Sequence, residues 1–227
     1  MFDRRNKIFK RLDISWYMSH PEERNLTVCI GGLVLKRCFD LTVSAVFLCT
    51  LFPLVYLVVG TAIRCTSPGP VLFRQKRHGK NGRVFTCLKF RTMQVNDAAD
   101  TQPARENDSR VTPLGRYLRR SCIDELPQFI NVLRGDMSVI GPRPHMLDDT
   151  RRFSSNAEDY MSRLTVRPGI TGLAQVKGYM GEVRTPEDLA GRIWYDLYYI
   201  DHWSFTLDIC IFFQTLRNFL AGDNHQK

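Results

Sequence analysis

The sequence predicts an α+β fold, mostly helical: a re-entrant membrane helix-break-helix, a small β-hairpin, cytosolic helices and interfacial amphipathic helices. Three observations predict it. The run Leu41 to Ile63 carries no charge and holds Pro53 near its middle. Two short β-rich stretches flank the turn His78-Gly79-Lys80-Asn81-Gly82. The rest reads as helices divided by Pro/Gly turns, ending in the strongly apolar segment Asp201 to Leu220.

Residues 1–33 form a basic leader in which Phe2, Ile8, Phe9, Leu12, Ile14, Trp16 and Tyr17 are interleaved with charges. Such a pattern can lie on anionic membrane lipids or remain a solvated tail. Residues 34–65 form the membrane unit. Its uncharged run is long enough to cross an apolar core of roughly 30 Å as a straight helix. Pro53 removes a backbone donor and crowds the preceding turn, so a kink or break is expected at Phe52–Pro53. Lys36 and Arg37 precede the run, and Arg64, Arg74, Lys76 and Arg77 follow it. Basic flanks on both sides favour keeping both in the cytoplasm. The halves on either side of Pro53 are too short to span alone, which points to a dip into one leaflet. Thr50 is placed to serve carbonyls freed at the bend.

Residues 66–222 form the remaining domain and 223–227 a tail. Thr66-Ser67-Pro68-Gly69-Pro70 closes the apolar unit as a turn. Val71–Phe73 and Val84–Phe90 read as strands. Residues 97–108 form a polar loop. Leu114–Ser121, Asp124–Leu133 and Tyr160–Thr165 read as helical, the last followed by a turn from Arg167 to Gly172. Thr185 as N-cap with Pro186 at the first helical position starts a helix to Ile200. Asp201–Leu220 is either an interfacial helix with Trp203 near the headgroups or a buried core helix.

The composition excludes several classes. At 227 residues, 44% hydrophobic and 24% charged, the chain suits one globular domain with attachments. A net charge of +9, from 32 Lys+Arg against 23 Asp+Glu, favours an anionic partner. No nucleic-acid-binding motif accompanies that charge, so nucleic acid is not the expected partner. The seven cysteines form no CxxC pair, which argues for free thiols rather than a zinc site or disulfides. No GxxxxGK[ST] loop exists to cradle a triphosphate.

The richest chemistry lies between Arg119 and Pro144. Asp124 and Glu125 stand between Arg119-Arg120 and Pro142-Arg143-Pro144. Carboxylates can attack phosphorus or hold a metal; arginines clamp phosphate oxygens. Asp124 is placed to cap the following helix, whose N-terminus attracts phosphate and keeps a neighbouring carboxylate ionised. Adjacent helical residues point about 100° apart, so one carboxylate can attack while the other holds Mg²⁺. Two flanking prolines restrict Arg143. In LKFRTM, Lys89 and Arg91 alternate with Phe90.

Those segments carry a resemblance. LKRCFDL, the mid-run proline, TSPGPVLFRQKRHGKNGRVF, LKFRTM, SCIDELPQFINVLRGDMSVIGPRP, VRPGITGLAQV and YDLYYIDHWSFTLDI make the chain similar to the bacterial sugar transferases, the monotopic polyprenyl-phosphate phosphoglycosyltransferases, from about Lys36 to Gly222. The resemblance implies a bacterial inner-membrane enzyme on the cytoplasmic face, with 66–222 as its catalytic domain. It implies transfer of a sugar 1-phosphate from a UDP-sugar to undecaprenyl phosphate with release of UMP, feeding exopolysaccharide, capsule or O-antigen synthesis. Asp124 is then the nucleophile that forms a covalent phosphosugar, and Glu125 the Mg²⁺ ligand. Arg119 and Arg143 match arginines near the phosphates, with Lys89 and Arg91 as further phosphate-binding candidates. Pro53 matches the helix-breaking proline, here preceded by Phe52 instead of a small polar residue. The stretch GYMGEVRTPEDLAGRIWYDLYYIDHWS is similar to members that transfer glucose 1-phosphate, with Met180 a departure from their pattern, and so leans toward UDP-glucose over UDP-galactose or a UDP-N-acetylated sugar. A homo-oligomer is compatible with the resemblance.

Overall fold

The structure is a computed structural model that describes residues 30–95, 108–155, 158–181 and 183–221. The leader lies outside these residues apart from 30–33, as do nearly all of the polar loop and the tail.

Helix α1 (Ile30–Thr66) is long and apolar enough to cross a membrane, with a mean hydropathy of 2.3 over its apolar window. It runs through Pro53 as one helix, so the expected division into two does not occur. The aromatic residues around the proline are held by the domain. Phe47 packs on Phe129 with ring centroids 4.5 Å apart, while Phe52 and Tyr56 lie 6.2 and 6.0 Å from Phe90. Loss of one backbone bond does not unwind turns fixed in this way. The Thr50 hydroxyl donates to Val46 O at 2.7 Å, its own i−4 carbonyl, instead of the Cys49 carbonyl that Pro53 leaves without a donor.

Both ends of α1 dock on the same domain. Near its start, Lys36 donates to Ile140 O, Tyr199 Oη and Asp208, and Arg37 to Val132 O and Leu133 O. Near its end, Ile63 packs with Val71, Phe90 and Leu118 in a small second core. Leu51, Leu54, Leu57 and Val58 are exposed on its outer side.

The hairpin pairs β1 (Leu72–His78) with β2 (Val84–Phe90) antiparallel, from Leu72 opposite Phe90 to His78 opposite Val84. β1 is longer than expected because polar Arg74–His78 continue the pairing. The turn uses Asn81 and Gly82 at positive φ, 56° and 74°, where both residue types are tolerated. Helix α2 (Pro113–Arg120) starts at Thr112, whose hydroxyl accepts from Gly115 N at 2.9 Å. Cys122, at φ 55°, then turns the chain into a 3₁₀ turn, Ile123–Glu125. Helix α3 (Gln128–Arg134) follows.

A two-stranded parallel sheet was not expected. β3 (Ser138–Ile140) pairs with β4 (Gly169–Thr171) where only a turn was read. Three residues are too few to show a period. The pairing needs glycine: a Cβ on Gly169 would lie 2.1 Å from Gly141 N. Two short helices, α4 (Leu147–Ser154) and α5 (Leu173–Val176), and a 3₁₀ segment, Glu158–Thr165, complete this region.

Helix α6 (Pro186–Asp201) begins as expected, with Thr185 and Asp188 forming a capping box. Helix α7 (Phe205–Leu220) starts afresh at the Ser204 cap, so Asp201–Leu220 is not continuous. α7 is neither purely interfacial nor purely core: Asp208 and Ile211 are buried, whereas Phe213, Leu216, Phe219 and Leu220 are exposed. Trp203 is half-buried where α7 begins. Its indole donates to Asp208 Oδ2 at 3.0 Å, and its ring lies against Gly32. The main core gathers Phe85, Cys87, Val132, Val139, Ile140, Ile193, Leu197 and Ile211.

Candidate active site

The 3₁₀ turn presents Asp124 and Glu125 beside strand β2. Its placement depends on Asn131, which is fully buried. Asn131 accepts from Leu88 N at 3.0 Å and donates to Thr86 O at 2.7 Å, fastening α3 to the free edge of β2. Lys89 thereby reaches Glu125, with Nζ 2.7 Å from Oε1. From the other side Arg143 grips Glu125 with both arms, Nη1 to Oε2 at 2.9 Å and Nη2 to Oε1 at 2.5 Å.

The two carboxylates occupy different electrostatic states. Burial would raise Glu125, but the Arg143 guanidinium and the Lys89 ammonium outweigh it and hold the carboxyl well below its usual range. Burial pushes Asp124 up to about 6, against the pull of Lys89, Arg119 and Arg143 and with the push of Glu125. Among the described residues no hydrogen bond engages the Asp124 carboxylate. Asp124 is therefore a desolvated, uncommitted carboxylate, which suits a nucleophile.

Asp124 does not cap a helix as expected. It sits inside the 3₁₀ turn, and the position before α3 is Pro127. The expectation that a helix end keeps Asp124 ionised is corrected with it, because burial shifts this group toward its neutral form.

Arg119 acts on Asp124 through its charge. Arg91 takes no part in the cluster. Its guanidinium donates to Ser67 O at 2.8 Å and to Pro68 O, tying the turn after α1 to β2. The sequence placed Arg91 on an exposed alternation, but the returning turn covers that face. Pro53 belongs to α1 and is not part of the cluster.

The residues that aim Arg143 escaped sequence reading. Arg163 Nη2 donates to Arg143 O at 3.0 Å, and Arg77 Nη1 to Pro144 O at 2.5 Å. Arg163 is itself paired with buried Asp196 at 2.6 Å. Burial, then Arg163 and Arg192, push His145 well below its usual range, so it is a neutral member of this layer. Arg163 and Asp196 are far from Arg143 in sequence, and only the Tyr160–Thr165 and Pro186–Ile200 helical patterns hinted at elements there.

For a metal, the donor set is poor as it stands. Both Glu125 oxygens already accept from cations, and among the described residues no three His, Cys, Asp or Glu side chains gather to hold an ion.

The pattern of the family described as "Bacterial sugar transferase" matches residues 32–222. The chain belongs to this family. A relative from Klebsiella pneumoniae, named UDP-glucose:undecaprenyl-phosphate glucose-1-phosphate transferase, is 48% identical over 186 residues, 82% of this chain and 40% of its own length. The chain thus spans about two fifths of that relative. A protein of the same name from Caulobacter vibrioides is 43% identical over 211 residues, 90% of this chain and 79% of its own. An Aeromonas hydrophila relative named for UDP-N-acetylgalactosamine is 44% identical over 190 residues, 83% of this chain and 44% of its own. The family match takes in α1, the hairpin, the carboxylate turn and the arginine-held Pro142–Pro144 loop together.

Proposed function

We propose that this bacterial sugar transferase moves a sugar 1-phosphate from a UDP-sugar to undecaprenyl phosphate and releases UMP, with UDP-glucose the favoured donor. The carrying observation is the buried carboxylate pair in unequal states, Asp124 uncommitted and Glu125 gripped by Arg143 and Lys89. The relatives' names supply the substrate classes.

Asp124 attacks the sugar-bearing phosphorus. A carboxylate O–P bond forms, the P–O bond to the uridine-linked phosphate breaks, and UMP leaves with the electron pair. An oxygen of undecaprenyl phosphate then attacks the same phosphorus, releasing Asp124 and forming the lipid diphosphate sugar. Arg143, Lys89 and Arg119 counter the charge that builds on the phosphate oxygens in both steps. UDP-N-acetylgalactosamine is the second donor reading, favoured by the Aeromonas relative.

The same reading places α1 as a dip into the cytoplasmic leaflet of the inner membrane. Contacts of one domain with Lys36, Phe47, Phe52 and Ile63 support it, since a helix crossing the bilayer would have to leave that domain partway.

The experiment is UMP release from a panel of UDP-sugars with undecaprenyl phosphate. UMP from UDP-glucose, dependent on the lipid for turnover, is the expected result. No UMP from any donor would overturn the reading.

A further inference from the structure

The family resemblance assigns Glu125 to a divalent cation, yet its surroundings oppose one. Oε1 accepts from Lys89 at 2.7 Å and from Arg143 at 2.5 Å, and Oε2 from Arg143 at 2.9 Å. Two positive groups stand where a cation would bind, and a third charge of the same sign would meet both. Mg²⁺ is held by one or two carboxylates together with substrate phosphate oxygens and water, not by a lone occupied carboxylate.

We propose that the nucleotide-free enzyme has no divalent-cation site, and that the diphosphate of the sugar nucleotide creates one by drawing Arg143 off Glu125. This rests on the reading above of a UDP-sugar as donor.

The geometry shows which group gives way. The Arg143 backbone is fixed by Pro142 and Pro144, and by the Arg163 and Arg77 bonds to the carbonyls of Arg143 and Pro144. The guanidinium can therefore swing only about its side-chain torsions, and it remains part-exposed with 18% of its side chain accessible. Its planar fork fits phosphate oxygens in two-pronged fashion, as the Lys89 ammonium cannot. Once Arg143 turns to the diphosphate, Glu125 Oε2 loses its one partner among the described residues, while Lys89 still holds Oε1. The phosphates supply the remaining oxygens. Arg143 thus makes carboxylate and nucleotide reciprocal: the cation that would stabilise the leaving group is admitted only with its substrate.

Mn²⁺ is the probe, titrated into the full-length protein in detergent and followed by the EPR signal of the free ion. The protein alone should leave Mn²⁺ free to millimolar concentrations. With UDP present, Mn²⁺ should bind at least about tenfold more tightly than to UDP alone. Micromolar Mn²⁺ binding by the nucleotide-free protein overturns the inference, as does nucleotide-loaded binding no tighter than UDP in buffer. Arg143→Gln should bind Mn²⁺ without nucleotide at least about tenfold more tightly than the parent. If that variant does not fold, Arg143→Lys replaces the fork by a single arm and should give a smaller gain; no gain in the folded variant tested refutes the lock. UMP release on the same preparation separates the two ideas. Turnover alongside tight nucleotide-free Mn²⁺ binding sinks this inference alone, and no turnover of any UDP-sugar sinks the donor assignment while the Mn²⁺ titration still decides the lock.

Discussion

Replacing Asp196 by Asn should be among the costliest single-atom changes in the domain. Asp196 is 1% and Arg163 3% exposed, with Nη2 and Nε of Arg163 at 2.6 and 2.7 Å from one carboxylate oxygen. Asparagine keeps the volume and removes the charge. Arg163 is then buried without its counter-ion, beside Arg192 and Arg143, which already repel one another. Breaking a buried pair from one side costs about 3–5 kcal/mol. At about 2–4 °C per kcal/mol for a chain of this length, the melting temperature should fall by about 6–20 °C. Arg163 also holds the Arg143 carbonyl at 3.0 Å, so the guanidinium loses its aim at Glu125. Residual activity, assayed at a temperature where the variant is folded, should drop at least about tenfold. Asp188→Asn is the control: Asp188 is half-buried in a capping box and should cost about 1 kcal/mol or less. Thermal unfolding in detergent, read by circular dichroism, compares the two. An Asp196→Asn protein that melts within about 2 °C of its parent, with full activity, would refute the argument.

Three further outcomes follow from the site and from α1. Asp124→Asn should abolish the labelled phosphosugar adduct and lower turnover by at least about a thousandfold, and an adduct surviving in that variant would assign the nucleophile elsewhere. Because burial raises Asp124 from 3.8 to about 6, its reactive ionised form is lost as pH falls through about 6, so kcat/KM should drop about tenfold per pH unit below that value. A profile flat to pH 5 would show that Asp124 stays ionised. In a cysteine-free background, Gly31→Cys and Arg74→Cys, both at exposed positions before and after the apolar run, should be labelled by a membrane-impermeant thiol reagent from the same side; labelling from opposite faces would refute the dip.

Legibility in the sequence followed the range of the interaction. The α6 start was plain because Thr185, Pro186 and Asp188 act within one turn. The hairpin was plain because Asn81-Gly82 supplies a tight turn between β-rich runs. Asp124, Glu125 and Arg143 stood out because their charges lie close together along the chain. Arg91 misled because local alternation says nothing about the turn that returns to cover it. The β3–β4 pair is set by backbone approach at Gly141 and Gly169, which three-residue segments do not announce. Lys36 read only as a membrane flank, yet it sits in a network with Ile140 O, Tyr199 and Asp208 that joins residues 104, 163 and 172 positions away.

That network bears on how the carboxylate pair comes to sit beside an apolar helix. Lys36 fixes the start of α1 to β3 and α7, and Ile63 fixes its end to the hairpin base. Between them, Phe52 and Tyr56 rest on Phe90, the residue next to Lys89. Phe47 rests on Phe129, four positions after Glu125. The apolar run and the carboxylates, far apart in sequence, are thus joined through one strand and one short helix. On the proposed reading, a lipid whose chains lie along the exposed Leu54–Val58 face can present its phosphate at Lys89 and Asp124 without leaving the bilayer. Arg143, held from behind by Arg163 and Arg77, meets the nucleotide from the opposite side. With UMP gone, the lipid phosphate attacks the Asp124-bound phosphorus from the face that UMP vacated, opposite the carboxylate, as in-line double displacement on a single carboxylate requires.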